Sequence, residues 1–305
     1  MMMMDDLDDN ILSHVLAYLP HQFRYVALVN RRFRRLYPYA ADTTFQNATE
    51  SAATTKIWLK EDGNFVTEEG CSFAVRYGKL PALQFLVSQG CHLALNSCMG
   101  AAMNGNLDIL QWLRSRDPPC CWNRFAIRAA IRIGRLDIVK WICFQEDPVV
   151  KYCFGYDDEN DDDDHLAATG GHLHILQWRQ QQYPDGRWSP TTVMAAAVEG
   201  HVGVLRWLDS HVPPDSWTTQ LTNAAAFRGH TETLQYLRSR DPPCPWTAAA
   251  CKYAAQNGHL SSLQWMRSQD PPSPWNRAEV LAAATCYRQQ HVLDWMHDTQ
   301  DELEA

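Results

Sequence analysis

Apolar residues recur along the chain in a fixed order. In the stretch beginning at Gly105 (GNLDILQWLRSRDPPCCW) they stand two, five, seven and eight residues after the glycine, as Leu107, Leu110, Trp112 and Leu113, with Ile109 beside them. This spacing gathers them on one helical stripe, wide enough to pack against two neighbours. Near copies start at Gly229 and Gly258, and weaker ones at Gly78, Gly134, Gly171 and Gly200. An eighth copy has Arg288 in the glycine slot. The anchors Gly171, Gly200, Gly229 and Gly258 are spaced 29 residues apart, as are Gly105 and Gly134. About four and three residues before the anchor stand small pairs: Ala101-Ala102, Ala167-Ala168, Ala196-Ala197, Ala225-Ala226 and Ala254-Ala255. Small side chains let two helices approach closely. The pattern therefore predicts a first helix, a glycine turn at positive φ, and a second helix. Asp-Pro-Pro then breaks the second helix, because proline lacks an N–H and restricts its predecessor. A fixed period of this length predicts an all-α solenoid of stacked helical hairpins joined by short Pro-rich turns.

The twelve tryptophans follow the same register. Trp112, Trp141, Trp178, Trp207, Trp265 and Trp295 stand seven after an anchor, and Trp122, Trp188, Trp217, Trp246 and Trp275 about twelve before one. Trp58 falls in a degenerate first copy, where Ala52 to Leu59 reads as an outer helix ended by Gly63. Tryptophans tied to repeat slots read as framework residues stacking along the solenoid, rather than as a ligand cage. The Ala-Ala-x-x-Gly-His of Ala254 to His259, of Ala225 to His230 and of Ala196 to His201, each followed by a Leu-rich outer helix, resembles the ankyrin family over roughly residues 50–297. The Thr-Pro-Leu-His opening of that family is missing, and its β-finger is shortened to Asp-Pro-Pro-Cys-Pro-Trp. Prolines cannot donate to a hairpin ladder, so an extended turn is expected there. The inner helices and short turns would then carry the recognition face.

The first forty residues do not repeat. Leu7, Ile11, Leu12, Val15, Leu16 and Leu19 form one apolar helical face, ended by Pro20. Asp5, Asp6, Asp8 and Asp9 suit the helix start. A second helical run carries Phe23, Val26, Ala27, Val29 and Phe33, with Arg24, Arg31, Arg32, Arg34 and Arg35 on other faces. Such a pair is too small to bury a core alone. In order and spacing these residues, closing on Val29 to Leu36, resemble an F-box, except that Asp8 follows Leu7 where a proline is usual. The resemblance implies docking of Leu7, Ile11, Leu12, Val15, Leu16, Leu19 and Pro20 onto a Skp-type adaptor of a cullin–RING ubiquitin ligase. Two other readings remain: a cap over the first repeat, and a nuclear-localisation or nucleic-acid patch at Arg31 to Arg35. The domain plan is an F-box-like segment over 1–40, a linker over 41–50, about eight repeats over 51–297, and an acidic tail over 298–305.

Composition narrows the function classes. The net charge of −8 argues against nucleic-acid binding by bulk charge. No apolar run is long enough to span a membrane, and no secretory signal follows the acidic start. The expected location is cytoplasmic or nuclear. Ten cysteines contain no Cys-x-x-Cys pair, and Cys71, Cys98 and Cys251 share the slot seven before an anchor. They read as reduced, buried structural thiols rather than a zinc site. His172, His201, His230 and His259 follow successive anchors. Stacked copies would hold them about 10 Å apart, whereas zinc ligands lie about 2 Å from the metal. They are expected to hydrogen-bond backbone groups in the turns. The Gly134–Gly171 interval is 37 residues, eight longer than the period, and its excess contains Asp157, Asp158, Glu159, Asn160 and Asp161 to Asp164. This insertion, near residues 152–164, reads as a solvated acidic loop or a contact for a basic partner. It fails the EF-hand pattern, since Asp162 stands where glycine is needed and Ala168 where glutamate is needed. No nucleophile–base constellation, phosphate loop or His-Glu-x-x-His occurs, so no catalysis and no cofactor are expected.

Recognition is then expected from positions that vary while the framework holds. One and two before the anchors these are Arg76 and Tyr77, Met103 and Asn104, Arg132 and Ile133, Val198 and Glu199, Phe227 and Arg228, Gln256 and Asn257. Five and six before stand Ser72 and Phe73, Met99, Arg128, Met194, Asn223, and Lys252 and Tyr253. Aromatic, arginine and methionine side chains suit a protein–protein surface. The expected function is a bipartite adaptor, with a ligase adaptor on the N-terminal helices and a protein target on the repeats. The alternative is an ankyrin-repeat scaffold without a ligase role.

Overall fold

The computed structural model describes residues 68–145 and 163–304. The F-box-like segment, the linker, the degenerate copy around Trp58 and residues 146–162 of the insertion lie outside the described residues. Among those described, every regular element is helical: sixteen α-helices and one 3-10 turn. They fall into two compact units, divided between Ala129 and Ala130.

The first unit holds α1 (Glu68–Arg76), α2 (Leu80–Ser88), α3 (Ser97–Met103) and α4 (Leu107–Arg114). Helix α5 (Arg124–Arg132) spans the division. The second unit continues with α6 (Leu136–Cys143), α7 (Asp164–Thr169), α8 (Leu173–Gln182), α9 (Pro190–Glu199) and α10 (Val202–Leu208). It is completed by α11 (Thr219–Arg228), α12 (Thr231–Ser239), α13 (Ala248–Gln256), α14 (Leu260–Ser268), α15 (Arg277–Cys286) and α16 (Gln290–Glu304). Helix α16 runs through residues 298–304, which the sequence set apart as an acidic tail.

Within the second unit the helices pack in a consecutive chain. Each first helix lies on the next first helix, in the order α7, α9, α11, α13, α15, and each also packs on its own second helix. In the first unit α1 packs on α3, α1 on α2, and α3 on α4. The alanine pairs make this possible: Ala101, Ala102, Ala167, Ala168, Ala196, Ala197, Ala225, Ala226, Ala254 and Ala255 are all fully buried. The second helices bury the residues four, five and eight after the anchor, such as Leu234 and Leu237 on α12. Each such leucine contributes roughly 1.5–3 kcal/mol.

Every anchor glycine has positive φ, from 69° at Gly78 to 79° at Gly200. Arg288, in the eighth anchor slot, adopts φ 56° as well. The residue after the anchor closes the turn: His230 N–H donates to Ala225 O at 2.9 Å, and Gln289 N–H to Ala284 O at 2.8 Å. This bond satisfies a carbonyl that the helix end would otherwise leave open.

The Asp-Pro-Pro turns contain cis bonds at Asp117–Pro118, Asp241–Pro242 and Asp270–Pro271. Each turn is tied back to its helix, with Cys120, Cys244 and Ser273 N–H donating to Leu113, Leu237 and Met266 O. An arginine grips the same turn. Arg114, Arg238 and Arg267 donate to Cys120, Cys244 and Ser273 O at 2.9, 3.1 and 2.7 Å. Their guanidiniums lie over Trp122, Trp246 and Trp275 at 4.2, 4.1 and 4.6 Å.

Two expectations need correction. The described tryptophans hold framework slots, but where two of them meet they do so within a copy: Trp188 with Trp207 at 5.1 Å and Trp246 with Trp265 at 6.3 Å, both edge-on. Trp217 pairs in the same way with Tyr236. The acidic run is not all solvated, since Asp163 and Asp164 are buried at 1% and 2% exposure. Asp164 pairs with Arg179 Nε at 3.2 Å, and Arg179 is itself buried. Arg179 stands eight after its anchor, where other copies carry Leu113, Ile142, Leu208, Leu237, Met266 and Met296. The ion pair thus places a charge where every other copy buries an apolar side chain.

Candidate functional site

The variable positions of the first unit converge. Helices α1 and α3 leave an open groove of about 490 Å³ between their exposed edges. Ser72, Phe73 and Arg76 line it from α1, and Met99, Met103 and Asn104 from α3. All six were singled out from the sequence by their distance from an anchor. Gly100 stands within the groove wall, opposite Val75.

Local bonds fix the edges. Asn104 Nδ2 donates to Gly100 O at 2.7 Å. Asn106 Nδ2 donates to Val75 O at 2.8 Å, tying the start of α4 to the end of α1. Phe73 and Tyr77, one turn apart on α1, hold their rings parallel at 6.1 Å. Met103 is 50% exposed. Arg76 is the one ionisable side chain among the lining residues, so the groove combines an apolar floor with a cationic rim.

In the second unit the variable residues share the exposed side of the first helices but are paired, with one another or with a residue of the next first helix. Phe227 of α11 meets Tyr253 of α13 edge-on at 6.1 Å. Arg228 reaches Glu199 of α9 at 3.3 Å, and Lys252 reaches Glu279 of α15 at 3.8 Å. Such exposed pairs contribute at most about 1 kcal/mol. Asn257 is turned back onto Tyr253 O. Met194 lines a separate hollow of about 410 Å³ with Trp188, Pro213 and Leu221.

The carbonyls at these positions are engaged even where the side chains are exposed. His172, His201, His230 and His259 each bring Nε2 to the carbonyl two residues before the preceding anchor. The acceptors are Arg132, Thr169, Val198 and Phe227 O, at 2.9–3.0 Å. A carbonyl only accepts, so Nε2 carries the proton in each ring. The expected backbone role of the histidines is therefore correct, and the turn they serve belongs to the copy before. Gln289 makes the same bond to Gln256 O at 3.2 Å. Among the described residues no cluster of three or more His, Cys, Asp or Glu could hold a metal.

Sequence reasoning missed several contributors. Ala94 and Asn96 line the groove from the loop before α3, and neighbouring Leu95 is 87% exposed. A loop has no helical phase, so nothing in the period pointed to them. Tyr287, 55% exposed, holds the slot just before Arg288. Extending the register to the eighth copy would have found it. Just past the ends of the second helices Arg240 pairs with Asp209 at 2.6 Å and lies 3.7 Å over Trp217. Tyr236 Oη donates to Asp209 Oδ2 at 2.9 Å. Burial alone would push the Asp209 carboxyl up, but the hydrogen bonds from Arg240 and Tyr236 outweigh it and hold it below the usual carboxylate range.

The sulfur chemistry departs from expectation in one place. The buried sulfurs of Cys71 and Cys91 are joined, bridging α1 to the turn after α2. The reading of all cysteines as reduced thiols is corrected at these two. No helix among the described residues is long and apolar enough to cross a membrane. No protein-family model matches the chain, and no curated protein is significantly similar to it.

Proposed function

We propose that the chain is a protein–protein interaction adaptor, built as an ankyrin-like repeat solenoid that holds a protein target. The observation that carries this reading is the groove between α1 and α3. Six side chains that vary against a constant framework line one open surface there, with an apolar floor and Arg76 at the rim. That combination suits an apolar side chain of a partner with a carboxylate beside it. The face bearing Val198, Glu199, Phe227, Arg228, Lys252, Tyr253, Gln256 and Asn257 offers a second contact area of mixed character. No reaction is required of this chain, which contributes proximity.

The N-terminal resemblance to an F-box supports a further role as substrate receptor of a cullin–RING ligase, with Leu7, Ile11, Leu12, Val15, Leu16, Leu19 and Pro20 meeting a Skp-type adaptor. Two variants separate the parts. Leu16→Asp is expected to abolish co-purification of the ligase adaptor while leaving target capture intact. Met103→Asp, at a half-exposed position, is expected to abolish target capture and leave the adaptor bound. If the unmodified chain captures no ligase adaptor, the scaffold reading replaces the ligase role. If Met103→Asp and the unmodified chain capture the same proteins, the groove is not the recognition site.

A further inference from the structure

The sulfur pair in the first unit has a counterpart one copy later. Cys71 stands seven before its anchor, and Cys91 N–H donates to Leu86 O, eight after that anchor. The same two slots in the Gly105 copy hold Cys98 and Cys120, whose N–H donates to Leu113 O. In the Gly229 copy they hold Thr222 and Cys244, and in the Gly258 copy Cys251 and Ser273. The two slots face each other in all four copies. Cys71 and Cys91 are joined. Cys98 Sγ lies 3.8 Å from Cys120 O. Thr222 Oγ1 donates to Pro245 O at 3.0 Å, and Ser273 hydrogen-bonds Cys251. Only the Gly78 and Gly105 copies place a sulfur in both slots.

We propose that Cys98 and Cys120 are a redox modification site, oxidised to a reversible intrachain disulfide equivalent to the Cys71–Cys91 bond one copy earlier. The surroundings divide the labour between the two sulfurs. Cys98 is buried at 1% exposure, while Cys120 is partly open to solvent beside exposed Cys121. The Cys98 thiol beside it, with Arg114 and Arg116 nearby, brings Cys120 down to about 7. The same contact and burial push Cys98 up, so it keeps its proton. The corresponding turn thiol Cys244, which faces a threonine, is instead pushed by burial up to about 11.

The oxidant class is a hydroperoxide. The Cys120 thiolate attacks its terminal oxygen, giving a sulfenic acid and releasing the remaining oxygen as water or alcohol. Cys98 then attacks the Cys120 sulfur and loses its proton, and the sulfenic oxygen leaves as water. Two thiols have given up two electrons to one hydroperoxide. A dithiol reductant reverses the bond by exchange, entering at the accessible sulfur of Cys120. Because Cys98 sits on α3, the bond fastens one wall of the groove to the turn after α4.

The test uses the full chain carrying Cys121→Ser, reduced, exposed to hydrogen peroxide, blocked with maleimide, digested and read by mass spectrometry. The expected product is a Cys98–Cys120 linked peptide, lighter by two hydrogens and lost on treatment with dithiothreitol. Cys98→Thr and Cys120→Ser install the residues that Thr222 and Ser273 already hold in these slots, and each is expected to remove the link. Cys98→Thr should in addition leave Cys120 as a sulfenic acid that dimedone labels. Matched far-ultraviolet circular dichroism of the variants checks that they fold. The proposal is overturned if Cys98 and Cys120 emerge as separate maleimide adducts while other cysteines oxidise. It is overturned equally if, in the chain that retains Cys121, Cys120 links to Cys121 instead.

Discussion

The two units meet the same structural demands with different chemistry. In the first, the donor that reaches back to the preceding copy is an amide, Asn106 to Val75 O. In the second it is a run of imidazoles from His172 to His259, followed by the amide of Gln289. The slot requires a donor of suitable reach and nothing more specific. The histidines' regular spacing follows from that requirement. The second contrast lies in the facing pair of slots before and after the anchor. The first unit fills them with two sulfurs in the Gly78 and Gly105 copies, whereas in the second the Gly229 and Gly258 copies hold one sulfur and one hydroxyl, and the slot before the anchor holds Asp164 in the Gly171 copy and Val193 in the Gly200 copy.

The largest test of this contrast is the buried pair. Asp164→Ala or Arg179→Ala alone leaves an uncompensated buried charge and is expected to cost about 3–5 kcal/mol in denaturant unfolding. The double change Asp164→Val with Arg179→Leu installs the residues that Val193 and Leu208 supply elsewhere. It is expected to recover most of that loss. Recovery would show the ion pair to be an alternative filling of an ordinary core site.

Next comes an attempt to give the second unit the chemistry of the first. Ser273→Cys faces Cys251 across 22 residues of sequence. Oxidation of that variant is expected to raise unfolding stability by up to about 3 kcal/mol over its reduced form. No gain, with the linked peptide present, would mean that the facing slots of the two units differ in geometry as well as in composition.

A smaller effect tests the backbone joint. Gly229 has φ 75°, and a Cβ added there would stand 2.5 Å from His259 Nδ1. Gly229→Ala is expected to cost about 1–3 kcal/mol from the left-handed backbone, with the ring clash adding to it. Adding His259→Ala relieves the clash but not the backbone strain, so the two changes should be less damaging together than their sum. In the first unit Gly90 has φ 88° and open space around it, so Gly90→Ala carries the backbone cost alone.

The smallest expected effect is one of pH. Asp209 is held below its ordinary value in the folded protein. Its contribution is therefore fully present above about pH 4, the ordinary aspartate value, and is lost as pH falls through the lower folded value. Unfolding midpoints of the parent and of Asp209→Asn should differ near neutrality and converge in acid. A constant difference across that range would show that the carboxylate charge contributes nothing.

Much of the helical order was legible because it is local. The glycine turns, the alanine pairs and the proline breaks each act within a few residues of their own position. The six residues of the groove were legible for a related reason, since a constant framework makes its variable positions easy to see. What escaped depended on residues far apart in the chain. The burial of Asp164 looks improbable inside an acidic run until Arg179 is noticed eight after Gly171, where every other copy is apolar. The groove residues Ala94 and Asn96 belong to a loop, and pairing of Cys71 with Cys91 requires aligning a turn two residues shorter than the Asp-Pro-Pro turns.

The anchor glycines carry a direction along the chain. Gly171 and Gly200 lie under the rings of His201 and His230, and a Cβ on either would approach the ring to 2.7 Å. Each copy thus constrains the one before it, while its own turn demands only a left-handed residue. Arg288 shows the difference: it takes the turn conformation with a full side chain. An engineered array that added a histidine-bearing copy beyond α16 would have to change Arg288 to glycine first, whereas a copy placed ahead of Gly78 would impose no change at Gly78.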